Sequence, residues 1–229
     1  MNTSILLLLA ILPGLAIAVY FYLRDLREPE PSGLLLMSVI YGVISFFISR
    51  GIGYLLHHFM YVSHQDELNE ILSAFVFIGL LGEGGKFLFL RGVTFYYKSF
   101  NQPFDGIVYA IMVGMGYATA ENVFYVISSG HNCDILRMFT TVPLNAVCAV
   151  IMGYFLGEAK LFRNRIFLYS LLALLLAVTV HGYYDYFLQM VYIRGLWMQG
   201  ITSLLIVIVL SQLAIKRRKA ENLKKFDQQ

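Results

Sequence analysis

The 229 residues are 59% apolar and 14% charged, with a mean hydropathy of +0.69. A soluble domain sits nearer half apolar and about a quarter charged, so these proportions exclude an ordinary soluble fold and point to a protein that crosses a bilayer several times. The net charge of +3 comes mostly from Lys and Arg in short loops and the tail, a pattern of membrane orientation that gives no support to nucleic-acid binding. Cys133 and Cys148 have no metal-type or redox-type spacing, and Cys148 lies in an apolar run.

Seven spans are predicted, near Ser4–Leu23, Leu34–Phe59, Ile71–Leu90, Gly106–Ile127, Met138–Leu156, Ile166–Leu188 and Leu196–Ile215. The first has no Lys or Arg ahead of its apolar run, which continues to Leu23, so it reads as a retained span in place of a cleaved signal peptide. The second is either one long helix or a helix broken at "RGIGY". Short polar links such as "SHQDELNE" and "GEAKLFRNR" join the spans, and no internal repeat is visible. The expected architecture is all-α: one transmembrane helical bundle over residues 1–215, then a basic cytoplasmic tail over 216–229. A cytoplasmic tail puts Arg24, Arg27, Arg91, Lys98, Lys160, Arg163 and Arg165 inside with it and leaves Arg50, Arg137 and Arg194 outside. The positive-inside rule therefore predicts an outer N-terminus and a cytoplasmic C-terminus.

Few polar residues remain within the spans: Glu83 and Lys86, Glu121 with Asn122, Asn145, and His181 with Asp185. An ionised side chain at a helix centre costs about 2.5–3.5 kcal/mol on insertion scales, so such residues need partners across the bundle. Glu83 and Lys86 are three apart; Tyr117 and Glu121, like His181 and Asp185, are four apart, so each pair shares a helix face. At 1.5 Å per residue, Glu121 and His181 lie roughly 22 Å from their cytoplasmic ends and Glu83 roughly 18 Å from its outer end. The three depths match, which lets them converge on one site. Carboxylates and an imidazole in such a cavity suit hydrolysis: a glutamate takes a proton from water, and histidine donates to the oxyanion or leaving amine. The same residues are competent metal ligands, but no HExxH or ExxH signature is present, so neither a metal nor another cofactor is expected. A plain polar cluster or an ion path is the competing use of these charges. Gly106, Gly114 and Gly116 precede Glu121 and are read as close helix-packing positions.

These residues resemble the PrsW family of bacterial intramembrane proteases and, more distantly, the CAAX-protease and Abi superfamily. The family pattern is EExxK, an aromatic-xxx-E followed by Asn, and HxxxD, each on its own helix. Here "GEGGK" carries Glu83 and Lys86, "YATAEN" carries Glu121 and Asn122, and "HGYYDYF" carries His181 and Asp185. The resemblance covers about residues 71–189. It implies catalysis by Glu83, Glu121, His181, Asp185 and Lys86, with Asn145 and Asn122 toward the substrate or oxyanion. It further implies a bacterial plasma-membrane enzyme of the glutamic type, whose partner is a membrane-tethered protein such as an anti-sigma factor, cut near the outer face.

Two positions depart from the pattern. Gly82 stands where the first glutamate, the favoured water-activating base of the superfamily, is expected, and Asn145 stands where similar proteins often have histidine. The alternative expectation is therefore a protease-like protein that binds a membrane partner without cutting it. Restoring glutamate and histidine at the two positions is expected to raise proteolysis.

Overall fold

The computed structural model describes residues 2–24, 29–59, 67–129, 135–189, 202 and 204–217. The chain is an all-α bundle, as expected, with no strand among the described residues. Its helices are α1 (Thr3–Arg24), α2 (Ser32–Phe59), α3 (Glu67–Leu72), α4 (Leu81–Gly92), α5 (Pro103–Ser129), α6 (Ile135–Leu161) and α7 (Ile166–Gln189). Six stretches of the described residues are long and apolar enough to cross a membrane, and they coincide with the first six predicted spans. The seventh, near Leu196–Ile215, begins outside the described residues, and 204–217 is helical. α2 runs unbroken through "RGIGY".

α3 and α4 are joined by Ser73–Leu80, which is wound as a π-helix. Such stretches are rare and concentrate at functional sites, because the extra residue per turn rotates the side chains that follow. Glu83 lies just beyond this stretch, in the first turn of α4.

α5 is the axis of the bundle. Proline at its first position costs no hydrogen bond. The Asp105 side chain accepts the N–H groups of Asn101 and Gln102 at 2.9 and 2.6 Å, tying the incoming chain to the helix start. From Pro103 to Ala118 every residue is buried, as befits a helix apolar on all sides and surrounded by α1, α2 and α6. The predicted small-residue contacts form here. A Cβ on Gly106 would stand 2.5 Å from Gly153 O, on Gly114 2.9 Å from Ala149 Cβ, and on Gly116 2.1 Å from Val39 O. The outward faces of α1, α2 and α7 carry Leu8, Leu15, Phe47 and Phe167 exposed, the dress of a lipid-facing surface.

α7 meets the π-helical stretch at an equally close contact. A Cβ on Gly79 would stand 3.2 Å from Val178 O, and one on Gly182 2.6 Å from the Phe75 ring and 3.0 Å from Phe75 Cα. This approach sets the distance between Glu83 and His181. Gly182→Ala is expected to destabilise the protein by about 1–3 kcal/mol through overpacking. Gly84→Ala, with nothing within 4 Å of the new methyl, is expected to gain up to about 1 kcal/mol from helix propensity. Thermal unfolding in detergent micelles separates the two, and equal midpoints would show that the contact does not constrain the bundle.

Candidate active site

Four elements converge on Glu83, which is fully buried. Lys86, one turn along α4 and 2% exposed, brings its ammonium to 2.6 Å from Glu83 Oε1. From α7, His181 Nδ1 reaches the same oxygen at 2.5 Å. Both donors thus take Oε1, while Oε2 has no hydrogen-bond partner among the described residues. Lys86 donates a second bond to Asn145 Oδ1 of α6 at 2.7 Å, and its ammonium lies 4.5 Å from the centre of the Tyr117 ring of α5. Asn145 in turn donates from Nδ2 to Thr141 O at 3.0 Å, which fixes the amide so that its oxygen faces the lysine. His181 Nε2 lies 3.1 Å from Asp185 Oδ2, one helical turn further on. The ring is therefore clasped between two carboxylates. Cys148 is buried beside it, its Sγ 3.7 Å from Ala177 O.

Glu121 stands one turn beyond Tyr117 on α5 and is 21% exposed. Its Oε1 is 3.9 Å from the Arg137 guanidinium of α6, a loose pair. Its Oε2 is buried without a hydrogen-bond partner among the described residues. His181, Asp185 and Lys86 all lie within electrostatic reach of this carboxylate. A cavity of about 460 Å³ opens here, lined by Gly82, Tyr117, Glu121, Arg137 and the second half of α2. Gly82 is part of its lining, while the adjacent Glu83 is fully buried and does not line it. Asn122 faces elsewhere, donating from Nδ2 to Met138 O at 3.1 Å and so tying α5 to α6.

Of the residues singled out in the sequence, Glu83, Lys86, Asn145, His181 and Asp185 form one contiguous cluster. Glu121 faces the adjoining cavity, and Asn122 buttresses the helix end behind it. Arg137 entered the sequence reading only as an outer basic residue, and nothing in its spacing signals Glu121 as its partner. Cys148 carried no signal in an apolar run. His58, which nothing in the sequence singles out, lines the cavity, while His64 and His131 fall outside the described residues.

A helical membrane bundle that gathers carboxylates, a lysine and an imidazole beside a polar cavity is an intramembrane hydrolase in make-up. The chain belongs to the PrsW family of intramembrane proteases: the profile described as PrsW family intramembrane metalloprotease matches residues 30–213. It is 33% identical over 176 residues to Protease PrsW of Geobacillus kaustophilus, covering 77% of this chain and 76% of the relative. To Protease PrsW of Bacillus subtilis it is 32% identical over 179 residues, or 78% and 80%. To that of Halalkalibacterium halodurans it is 29% identical over 219 residues, or 95% and 97%. No solved structure matches the chain.

The family description includes a metal, and the donors here can be tested for fit. Glu83, Cys148 and His181 bring ligand-type atoms within 4.8 Å of one another, and zinc accepts all three kinds. Two ligands of a tetrahedral zinc at about 2.0–2.1 Å stand about 3.3 Å apart. Glu83 Oε1 and His181 Nδ1 are only 2.5 Å apart, bonded directly to each other. The other ring nitrogen faces Asp185, and a positive charge is already in place, since the Lys86 ammonium is 2.6 Å from Glu83 Oε1. A divalent ion would have to displace that ammonium and break the imidazole–carboxylate bond. As arranged, these residues do not fit a metal.

Proposed function

We propose that the chain hydrolyses a peptide bond of a membrane-tethered protein, such as an anti-sigma factor, by a glutamic mechanism without a metal. It would act near the outer face of a bacterial plasma membrane, with the N-terminus outside and the tail 216–229 in the cytoplasm. The observation that supports this reading is the buried, unpartnered Oε2 of Glu121 beside a cavity of about 460 Å³. Hydrolysis needs water where lipid supplies none, and a roomy polar cavity holds it.

In this mechanism Glu121 takes a proton from water as the water attacks the carbonyl. Its loose contact with Arg137 keeps the carboxylate in place and leaves Oε2 without a hydrogen-bond partner among the described residues. His181 supplies the proton to the departing amine, and Asp185 orients the ring for that step. Glu83 and Lys86, both buried, balance each other's charge, and the lysine places positive potential where the oxyanion develops. Asn145 holds Lys86 in position and keeps a second amide hydrogen for the oxyanion. Asn122 holds the Glu121 end of α5 against α6.

The test is co-expression with a tethered reporter. Glu121→Gln is expected to lower cleavage by about 10²–10⁴ without lowering the unfolding midpoint. Elemental analysis of active protein is expected to find no stoichiometric zinc, and chelators are expected to leave cleavage intact. One zinc per chain, removed together with activity, would overturn the metal-free mechanism.

Gly82 favours a second reading. It leaves the cavity lining without a carboxylate at that point, and Glu83 itself is fully buried. On this reading the protein binds its membrane partner and does not cut it. Wild-type chain that captures the reporter without cleaving it would establish that alternative.

A further inference from the structure

The described residues that line the cavity beside Glu121 carry more positive than negative charge. Among them are Arg50 of α2 and Arg137 of α6, against one carboxylate, Glu121. Arg137 is partly engaged, 3.9 Å from Glu121 and 4.6 Å from the centre of the Tyr125 ring. Arg50 differs. Its guanidinium lies 5.3 Å from the centre of the Phe124 ring, and no carboxylate of the described residues forms an ion pair with it. A cation–π contact with the ring leaves the guanidinium N–H groups able to bond elsewhere, and their fork matches a carboxylate. The lining offers a further donor. A Cβ on Gly82 would stand 3.0 Å from the Tyr117 hydroxyl, so this hydroxyl borders the space that a side chain at position 82 would fill.

We propose that this cavity recognises an acidic side chain, aspartate or glutamate, of the tethered protein, with Arg50 as the specificity-determining cation. The net charge of the described walls matches a monoanion. The lining reaches Tyr117, in the interior of α5, and Gly82, where α4 continues the π-helical stretch Ser73–Leu80, which suits a peptide side chain entering from the cavity mouth. A lipid phosphate, tethered to two acyl chains, belongs at the helix ends. The proposal rests on the protease reading for the nearness of the acidic residue to the cut bond. Recognition itself requires no cleavage.

The experiment uses the full chain in nanodiscs of zwitterionic lipid. Tethered fluorescent peptides differ only in carrying Asp or Glu, or Asn or Gln, at successive positions along the extended segment. Binding is read by anisotropy and cleavage separately by gel. The wild type is expected to bind one acidic register about tenfold or more tighter than its amide counterpart, the discrimination a charged hydrogen bond affords. Arg50→Gln is expected to bring that ratio close to one, Arg50→Lys to retain part of it, and Arg50→Glu to favour a lysine-bearing peptide. Acid preference in binding without any cleavage supports this inference and defeats the protease reading. Cleavage with no acid preference at any register does the reverse. A preference that survives Arg50→Gln overturns the role of Arg50. Binding that responds to phosphatidylglycerol in the disc and ignores peptide charge assigns the cavity to lipid headgroups and overturns the proposal.

Discussion

A Gly82→Glu variant is expected to cleave a tethered reporter, neutral near the cut, faster than the wild type, since a second carboxylate joins Glu121 as base. The gain is up to about 10²–10⁴, the most that a positioned general base contributes. Gly82 is part of the cavity lining, so a side chain there grows into open space of about 460 Å³. Its Cβ would meet the Tyr117 hydroxyl at 3.0 Å, and that hydroxyl sits at the tip of a side chain able to shift by a few tenths of an ångström. The new carboxylate would enter the cavity beside Glu121, where water is accessible, while Glu83 stays fully buried. Adding histidine at Asn145 is expected to contribute nothing further. Asn145 Oδ1 already accepts from Lys86 at 2.7 Å, and imidazole would sacrifice that buried bond. Cleavage is measured from reporter fragments at matched expression. Equal rates would show that Glu121 alone suffices as base, whereas absence of cutting by both proteins would favour the partner-binding reading.

The second large effect is on stability. Glu83→Gln removes the carboxylate that serves Lys86 and His181 together, and it is expected to cost about 3–5 kcal/mol because the ammonium stays buried without its counter-charge. Lys86→Met alone is expected to cost somewhat less, since His181 still donates to Glu83 at 2.5 Å. The Glu83→Gln, Lys86→Met double variant is expected to recover much of the loss, as a neutral pair carries no unmet desolvation. Unfolding in bicelles across the four proteins gives the coupling energy. Strict additivity would mean that the two charges do not sense each other, contrary to a 2.6 Å contact.

Much of this was legible in one dimension. Runs of about 20 apolar residues fix the spans, and a three- or four-residue interval puts Glu83 with Lys86 and His181 with Asp185 on common faces. Both pairs are in contact in the fold. The meeting of Glu83 and His181 across 98 residues is different in kind. Matching depth allowed it, and only the resemblance to a known motif set proposed it. Nothing local encodes the Lys86–Asn145 bond or the Glu121–Arg137 pair, because each depends on which helix faces which. The π-helical turn before Glu83 was invisible for a simpler reason: its residues are as apolar in one winding as in the other. Gly82 was noticed only as a departure from a pattern, and its place in the lining of a cavity emerged from packing.

The ion cluster also has a consequence for biogenesis. Helix α4 leaves the ribosome carrying Glu83 and Lys86 in its buried first half, well before their histidine partner exists. With 98 residues separating Glu83 from His181, and synthesis at about 5–20 residues per second, the gap lasts roughly 5–20 seconds. Each lone charge would weigh against insertion by about 2.5–3.5 kcal/mol. Their three-residue spacing lets them neutralise each other within a single helix, so the segment can enter the bilayer as an internal salt. When α7 arrives, its imidazole completes a cluster whose charge was already balanced. The contact between Glu83 and His181 is thus among the last of the cluster to form, after the helices on which Lys86 and Asn145 lie are already made.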